Sequence, residues 1–306
     1  MVRSRWKVLF LFVLTLPYLQ PTAKAEESVE ILADRHGIFD ETKGTITFEK
    51  NVSARMLSTG AVLYSDRLEV FVDPISRKPM KARAEGQVRL LDKKGEVHCD
   101  LALFKRNGTT VELLGNVKVR TPQLELDGDR IHYDYESGWG RITALPQRQV
   151  TFAFDRGKSD AGKNRKVGGE EKSEPTHWTS GRATRIFVYR KSKKALLQGD
   201  VAFKDVRRHS ELSADRVELF FAPDDDIEEA VASGRFSLVQ NKRHSKADSA
   251  VFDYKTEIVT LRGNASIEEP GRGVVSSPTI KMHMKESKGQ LQSDGRRPIR
   301  TLITID

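Results

Sequence analysis

Stretches of alternating apolar and polar side chains around a central glycine recur along this 306-residue chain. Such alternation is typical of a β-strand with one buried face and one solvated face. A degenerate copy, GTITFEKNVSA (residues 44–54), has Lys50 where the glycine is expected. The complete copies are MKARAEGQVRL (80–90), VELLGNVKV (111–119), KALLQGDVAF (194–203), EAVASGRFSL (229–238) and EIVTLRGNASI (257–267). Their recurrence predicts a repeat architecture built from strands.

An aspartate follows five of the six copies at a nearly constant distance, and the alternation then resumes. We interpret each aspartate as the start of a second strand after a turn, where a short carboxylate accepts hydrogen bonds from backbone N–H groups. The last copy has Pro278 at this position. The chain therefore reads as six units of two strands each and as nearly all β. The aspartates are Asp66, Asp100, Asp129, Asp215 and Asp248.

The repeated glycine predicts a specific backbone feature. A glycine inside a strand loses side-chain packing and backbone entropy. Recurrence at one position therefore indicates a bend, a bulge or a close approach of two chains. We expect these glycines on the inward face of long strands, where they curve the sheet along its length.

The first residues predict export. Arg3, Arg5 and Lys7 precede an apolar run from Val8 to Leu16, and Ala23-Lys24-Ala25 provides the small-x-small pattern of a cleavage site. The run is shorter than the ~20 residues that a membrane-spanning helix needs. We interpret residues 1–25 as a cleaved secretory signal. The alternative is an uncleaved N-terminal anchor.

Composition narrows the possible partners. The single cysteine, Cys99, excludes an intramolecular disulfide, so the core and the backbone ladders must hold the fold together. The net charge of +9 suits an anionic partner. Because the chain is predicted to be exported, we expect no nucleic acid and favour an anionic envelope component such as a phosphorylated glycolipid.

A polar segment separates the repeats into two sets of three. The stretch DRGKSDAGKNRKVGGEEKSEP (residues 155–175) has only Ala161 and Val167 as apolar residues, too few to offset the entropy of ordering it. We predict a first β half over residues 26–154, a flexible linker or insertion over 155–180, and a second β half over 181–306. Two separate domains and one continuous β structure both fit this division.

Several of these elements resemble a known family. The opening ILADRHGIFDETKGTITFEKNV (residues 31–52) and the repeated G-N-V and A-D-x-apolar elements resemble the OstA-like family of lipopolysaccharide-transport periplasmic proteins. The resemblance covers about residues 31–154 and 181–290, and the order and spacing of short motifs carry it. The best matches are Gly115-Asn116-Val117 and Gly263-Asn264-Ala265 for the first motif, and Ala33-Asp34, Ala214-Asp215 and Ala247-Asp248 for the second.

The resemblance implies an open, twisted β-jellyroll with an apolar groove, here in what could be two tandem copies. It implies that the acyl chains of lipopolysaccharide lie in the groove and that the protein bridges the periplasm. Partners would be an inner-membrane tether and an outer-membrane translocon, joined through strand edges, with head-to-tail self-association. The extra length and the insertion leave open a double-length LptA-like bridge, a fusion of LptA-like and LptC-like halves, or a relative with another ligand.

The inward positions of the repeats supply the candidate lipid-binding residues. A continuous apolar face would shield acyl chains, whereas the same side chains could instead fill a closed sandwich core. The candidates are Val117, Val119, Ile131, Val201, Phe203, Val217, Leu219, Phe236, Leu238, Phe252, Ile267 and Met282.

The sequence shows no catalytic set. Its seven histidines lack metal-ligand spacing, and Cys99 has no second cysteine. We therefore predict no enzyme activity, no metal and no cofactor. Two other classes remain as alternatives: a polysaccharide-acting parallel β-helix enzyme, and a structural envelope protein built of β-repeats.

Overall fold

The structure is a computed structural model that describes residues 28–35, 37–76, 78–105, 108–122, 124–155, 178–206, 209–223, 226–283 and 289–303. The predicted signal at residues 1–25 and most of the predicted linker lie outside these ranges. Strands account for most of the described residues, and none of them is helical. The expected all-β fold class is therefore confirmed.

The chain divides into two compact units. The N-terminal unit contains the described residues among 28–152 and Arg185–Ser192, and the C-terminal unit contains those among 153–184 and 193–303. The first strands are β1 (Val29–Leu32), β2 (Ile38–Asp40), β3 (Thr45–Met56), β4 (Val62–Val72), β5 (Pro79–Asp92), β6 (Gly95–Lys105), β7 (Thr110–Arg120), β8 (Leu124–Asp134) and β9 (Trp139–Thr143). The others are β10 (Val150–Asp155), β11 (Trp178–Ala183), β12 (Arg185–Tyr189), β13 (Lys194–Asp205), β14 (Ser210–Phe221), β15 (Ile227–Gln240), β16 (Arg243–Asp253), β17 (Ile258–Glu269), β18 (Gly273–His283), β19 (Gly289–Gln292) and β20 (Arg300–Ile303).

Each unit is a meander of antiparallel neighbours. In the N-terminal unit β3 to β9 pair in chain order, and β12 adds to β9. In the C-terminal unit β13 to β18 pair in chain order, and β11 adds to β13. A parallel β-helix requires parallel neighbours, so this alternative is wrong.

Corresponding cross-strand pairs recur in the two units. In the N-terminal unit Ala82 faces Phe104, and Ala84 faces Ala102. In the C-terminal unit the same pairs occur 148 residues later, as Ala230 with Phe252 and Ala232 with Ala250. Strands β5 and β6 also begin and end 148 residues before β15 and β16. The repetition therefore extends from the sequence pattern to the pairing of individual side chains.

The repeated glycines form β-bulges, as expected. Between two regular pairs, residues 115–117 of β7 face residues 99–100 of β6, so β7 carries one extra residue. Gly115 has a φ of 75° and Asn116 a φ of 46°. The other bulges repeat this pair of left-handed residues at Lys50-Asn51, Gly86-Gln87, Gly199-Asp200, Gly234-Arg235 and Gly263-Asn264.

The glycines do not face the apolar interior, contrary to our expectation. A Cβ atom on Gly115 would lie 2.9 Å from Cβ of Asp100 and closer still to its Oδ2, and the Asp100 side chain is exposed. Asp66, Asp215 and Asp248 approach the glycine of the next strand in the same way, and Thr184 approaches Gly199. Glycine is thus required both by its positive φ and by the close approach of a neighbouring side chain.

The prediction that the aspartates begin the second strands is wrong. Asp100 lies in the middle of β6, flanked by the buried residues Cys99 and Ala102. Two residues rather than one separate these buried side chains, so the apolar-polar alternation of the sequence breaks at Asp100. The first half of the strand therefore looks like a loop in the sequence. Asp100 accepts a hydrogen bond of 3.0 Å from Asn116 Nδ2 in the next bulge.

The two short sequence motifs are therefore cross-strand partners. Asp34 accepts a 2.6 Å hydrogen bond from Asn51, and Asp248 accepts one of 3.1 Å from Asn264. At one bulge an arginine replaces the asparagine, and Arg235 donates a hydrogen bond to Asp215. Asp129 differs from these, since it is buried and accepts a hydrogen bond of 2.7 Å from the backbone N–H of Leu145.

Replacing Gly115 by alanine should destabilise the chain more than replacing Gly60. Gly60 has nearly the same φ, 76°, but no atom lies within 4 Å of its ideal Cβ position. Left-handed backbone strain of about 1–2 kcal/mol is common to both substitutions. The collision with Asp100 should add about 2 kcal/mol to Gly115→Ala.

Urea denaturation followed by circular dichroism measures this difference. The double variant Asp100→Ala/Gly115→Ala should recover part of the lost stability, because the colliding carboxylate is removed. Equal destabilisation of the Gly60 and Gly115 variants would contradict a steric role for the aspartate.

Candidate functional site

Rows of inward side chains cross the C-terminal unit. Because antiparallel neighbours keep these side chains on one face, each row continues from strand to strand. One row consists of Phe203, Leu212, Leu238, Ser245, Ile267, Val275 and Thr301. A second row, nearer the other ends of the strands, consists of Leu219, Ala230, Phe252, Val259, Met282 and Gly289.

These rows line a cavity of about 980 Å³ within the C-terminal unit. This volume is at the upper end of the ~300–1,000 Å³ that is usual for ligand sites. Along β16 the lining runs from Arg243 to Phe252, a length of about 30 Å at ~3.3 Å per residue. The hydrocarbon core of a bilayer is about 30 Å thick, and each acyl chain spans one of its two leaflets, about half of that thickness. The cavity is therefore long enough for an extended acyl chain.

Seven of the candidate residues line this cavity: Phe203, Val217, Leu219, Leu238, Phe252, Ile267 and Met282. The structure places Val201 and Phe236 on the same strands, but both are buried and neither is part of the lining. The floor also contains two small residues, Ala230 and Ala232, which leave room between their larger neighbours. The inward assignment thus brings most of the candidates of this unit together.

The three candidates of the N-terminal unit are tightly buried. Val117 is 0% exposed, Val119 3% and Ile131 4%. Ile131 pairs with Leu113 on one neighbouring strand and with Ile142 on the other, and both of these side chains are fully buried. These residues form part of the apolar inner face of this unit.

One end of the C-terminal cavity is polar, which sequence reasoning missed. Its lining there includes Lys242, Arg243, Glu269 and Arg272. Arg243 Nη2 lies 3.3 Å from Glu269 Oε2, and Arg272 Nη1 lies 2.9 Å from Glu269 Oε1. Arg243 and Glu269 occupy inward positions at strand ends, so only the strand register could have revealed that they meet.

Two groups with shifted pKa values serve packing and ion pairing. Burial raises the pKa of the Cys99 thiol to about 12, so the thiolate that would act as a nucleophile is suppressed. A hydrogen bond from Lys105, with a further one from Arg130, lowers the pKa of Glu112, a carboxylate that serves an ion-pair cluster. Within the described residues, no group of three metal-ligating side chains comes together.

The described part of the chain also contains no helix that is long and apolar enough to cross a membrane. Its fold and its cavity define a class of protein: an antiparallel β-repeat protein whose apolar, elongated cavity has a charged end. This class is suited to binding an amphiphile with a long hydrocarbon chain.

Sequence comparison identifies the family. The profile of the family described as LptA/(LptD N-terminal domain) LPS transport protein matches residues 30–139 and 182–288, which together exceed half of the chain. The chain belongs to this family, and the predicted family resemblance is confirmed. Both matched segments begin in the strand region before a left-handed bulge and contain three bulges each.

The chain is also similar to a solved structure, the crystal structure of LptH from Pseudomonas aeruginosa. LptH is described as the LptA homologous periplasmic component of the conserved lipopolysaccharide transport device. The match has 14% sequence identity and a TM-score of 0.34, and it covers 40% of this chain and 86% of LptH. No curated protein sequence matches significantly.

Leu238→Glu should weaken the binding of a neutral apolar dye to the cavity. Leu238 is half-buried and lines the cavity, so a carboxylate there would meet apolar neighbours without a partner. Fluorescence titration with N-phenyl-1-naphthylamine should show a Kd increase of about tenfold or more.

Ser237→Glu is the matched control. Ser237 is the preceding residue on β15 and is not part of the cavity lining, so this variant should bind the dye like the unmodified chain. A similar loss in both variants would show that the dye does not report on the cavity.

Proposed function

We propose that this protein is a periplasmic lipopolysaccharide carrier that shields the acyl chains of lipid A between the inner and outer membranes. The elongated apolar cavity of the C-terminal unit is the observation that carries this proposal. Family membership supports it, because the family is one of lipopolysaccharide transport proteins.

The physical requirement for such a carrier is large. Each methylene group that leaves water contributes about 0.8 kcal/mol, so a twelve-carbon chain gains roughly 10 kcal/mol from shielding. Rows of inward side chains provide the continuous apolar surface that this gain requires. Non-directional contacts also let chains of different length bind in one cavity. The twelve candidate residues named from the sequence are the proposed acyl contacts.

The inner face also argues against a purely structural envelope protein. Such a protein would be expected to fill its interior with polar ladders, whereas Val217, Leu219 and Ile280 form an apolar lining here. An apolar lining around open volume favours ligand binding over a purely structural role.

We further propose that the two matched segments are tandem OstA-like jellyrolls, joined by the segment at 155–180, in a chain exported through the signal at 1–25. Each unit has a terminal edge made of two short strands that pair with one neighbour. These are β1 and β2 on β3, and β19 and β20 on β18. The exposed side chains of Val29, Leu32 and Leu302 lie on these edges.

Such edges can accept a strand from another protein. They are therefore the proposed contacts with an inner-membrane tether, with an outer-membrane translocon, or with a second copy in a head-to-tail array. The mechanism requires no bond making and no cofactor. The protein supplies the apolar surface, and acyl chains exchange along it.

A photo-crosslinking amino acid at Phe203 should form adducts with lipopolysaccharide. Phe203 is half-buried and lines the cavity, so its side chain should contact bound acyl chains. The purified exported chain would be incubated with lipopolysaccharide and irradiated. Immunoblots against the protein and against lipopolysaccharide would then detect the adduct. A second probe at Phe252 tests the other end of the cavity.

The neighbouring residues provide matched controls. The side chain of Lys204 is 61% exposed and pairs with Glu211 outside the cavity, and Asp253 caps the turn after β16. Probes at these two positions should give little adduct. Adducts from Lys204 and Asp253 but not from Phe203 and Phe252 would refute the proposed carrier.

A further inference from the structure

The lining of the C-terminal cavity changes polarity along the strands. At one end, the last inward row consists of Asp205, Ser210, Gln240, Arg243, Glu269 and Gly273. At the other end the row contains Leu219, Phe252, Val259 and Met282. The cavity thus matches an amphiphile in which a polar head is attached to a hydrocarbon chain.

The polar end carries an excess of positive charge. We call the set of Lys242, Arg243, Glu269 and Arg272 the charged mouth. Glu269 holds both arginines, with ion pairs of 3.3 Å to Arg243 and 2.9 Å to Arg272. Together with Asp205, the lining at this end has three cationic and two anionic side chains.

The two guanidinium groups retain donors beyond those used by Glu269. An arginine has five N–H donors in a fixed fork, and the Arg272 side chain is 77% exposed at the mouth. Paired arginines of this kind match the several acceptor oxygens of a phosphate group better than a sugar hydroxyl or a cationic head. Glu269 lies between the two guanidinium groups, and its single negative charge leaves the pair with a net positive charge.

We propose that the charged mouth binds the phosphate headgroup of an acylated ligand and that the acyl chain extends from it towards Met282. This inference rests on the proposed carrier function and adds a fixed orientation to it. The opposite end of the cavity has His283 and Tyr254 in its lining but no such cationic pair, so the reversed orientation would place the phosphate mainly among apolar side chains.

Binding of two single-chain amphiphiles to the purified exported chain tests the proposal. Dodecyl phosphate and dodecyl maltoside have the same chain and differ in head charge. Calorimetric titration below their micelle concentrations should show dodecyl phosphate binding about tenfold more tightly, from charge-assisted hydrogen bonds. The double variant Arg243→Gln/Arg272→Gln should lose this preference and leave the affinity for dodecyl maltoside unchanged.

Two more variants complete the design. Arg262→Gln removes one positive charge from an exposed position of β17 that is not part of the cavity lining, so it should keep the preference. Glu269→Gln removes the competing negative charge and should bind dodecyl phosphate at least as tightly as the unmodified chain. Weaker binding of dodecyl phosphate by this variant would contradict the proposal, even if the double variant does not fold.

Orientation is measured with dodecyl phosphate that carries a diazirine at its terminal carbon. An extended dodecyl chain is about half as long as the cavity, so after irradiation mass spectrometry should find the label on peptides from its middle, those containing Val217 or Ile280. Labelling near Arg272, or equal affinities for both amphiphiles that no variant alters, would overturn the charged mouth while leaving the carrier function intact. Failure of both amphiphiles to bind would instead refute the proposed function of this cavity.

Discussion

The contact between an aspartate side chain and the glycine of the next strand is the constraint on which the rest of the structure depends. At Gly115 the backbone adopts a positive φ, and the position of its missing Cβ lies within 3 Å of Asp100. Neither requirement would suffice to fix the residue type, since asparagine also tolerates a positive φ. Together they leave glycine as the residue that fits, and they bring Asn116 within hydrogen-bonding distance of the carboxylate.

The bulges preserve the apolar face of the sheet. A shift of one residue in a regular ladder would move every later side chain to the opposite face. Here the extra residue in β7 is accompanied by two consecutive residues between buried positions in β6, namely between Cys99 and Ala102. Leu113 is buried before the bulge in β7, and Val117 is buried directly after it. The inner rows therefore remain continuous although every repeat is interrupted.

The sequence was sufficient to predict the strands and much of their inward face. Leu197 and Val201 flank a glycine two residues away on either side, and both are buried. The aspartates were misplaced because the irregular spacing around them conceals half of each second strand. The polar end was missed for a different reason. Arg243 and Glu269 are 26 residues apart in the chain, and only the pairing of β16 with β17 brings them together.

Periodicity also cannot separate a packed face from a cavity lining. Val201 and Val217 are both inward and both nearly inaccessible, yet only Val217 contributes to the cavity lining. The difference depends on the volume of side chains facing them across the unit. That volume is a property of the assembled fold rather than of a single strand.

The correspondence between the units shows where they differ. The alanine pair Ala84–Ala102 recurs as Ala232–Ala250, so both inner faces have small side chains at their centre. The two arginines and the glutamate of the charged mouth have no such counterpart, although Lys242 corresponds to Lys94. The positions 148 residues before Arg243, Glu269 and Arg272 are Gly95, Thr121 and Leu124. Because apolar shielding needs only the repeated inner face, whereas the proposed orientation of a charged head needs the arginines, we assign that orientation to the C-terminal unit.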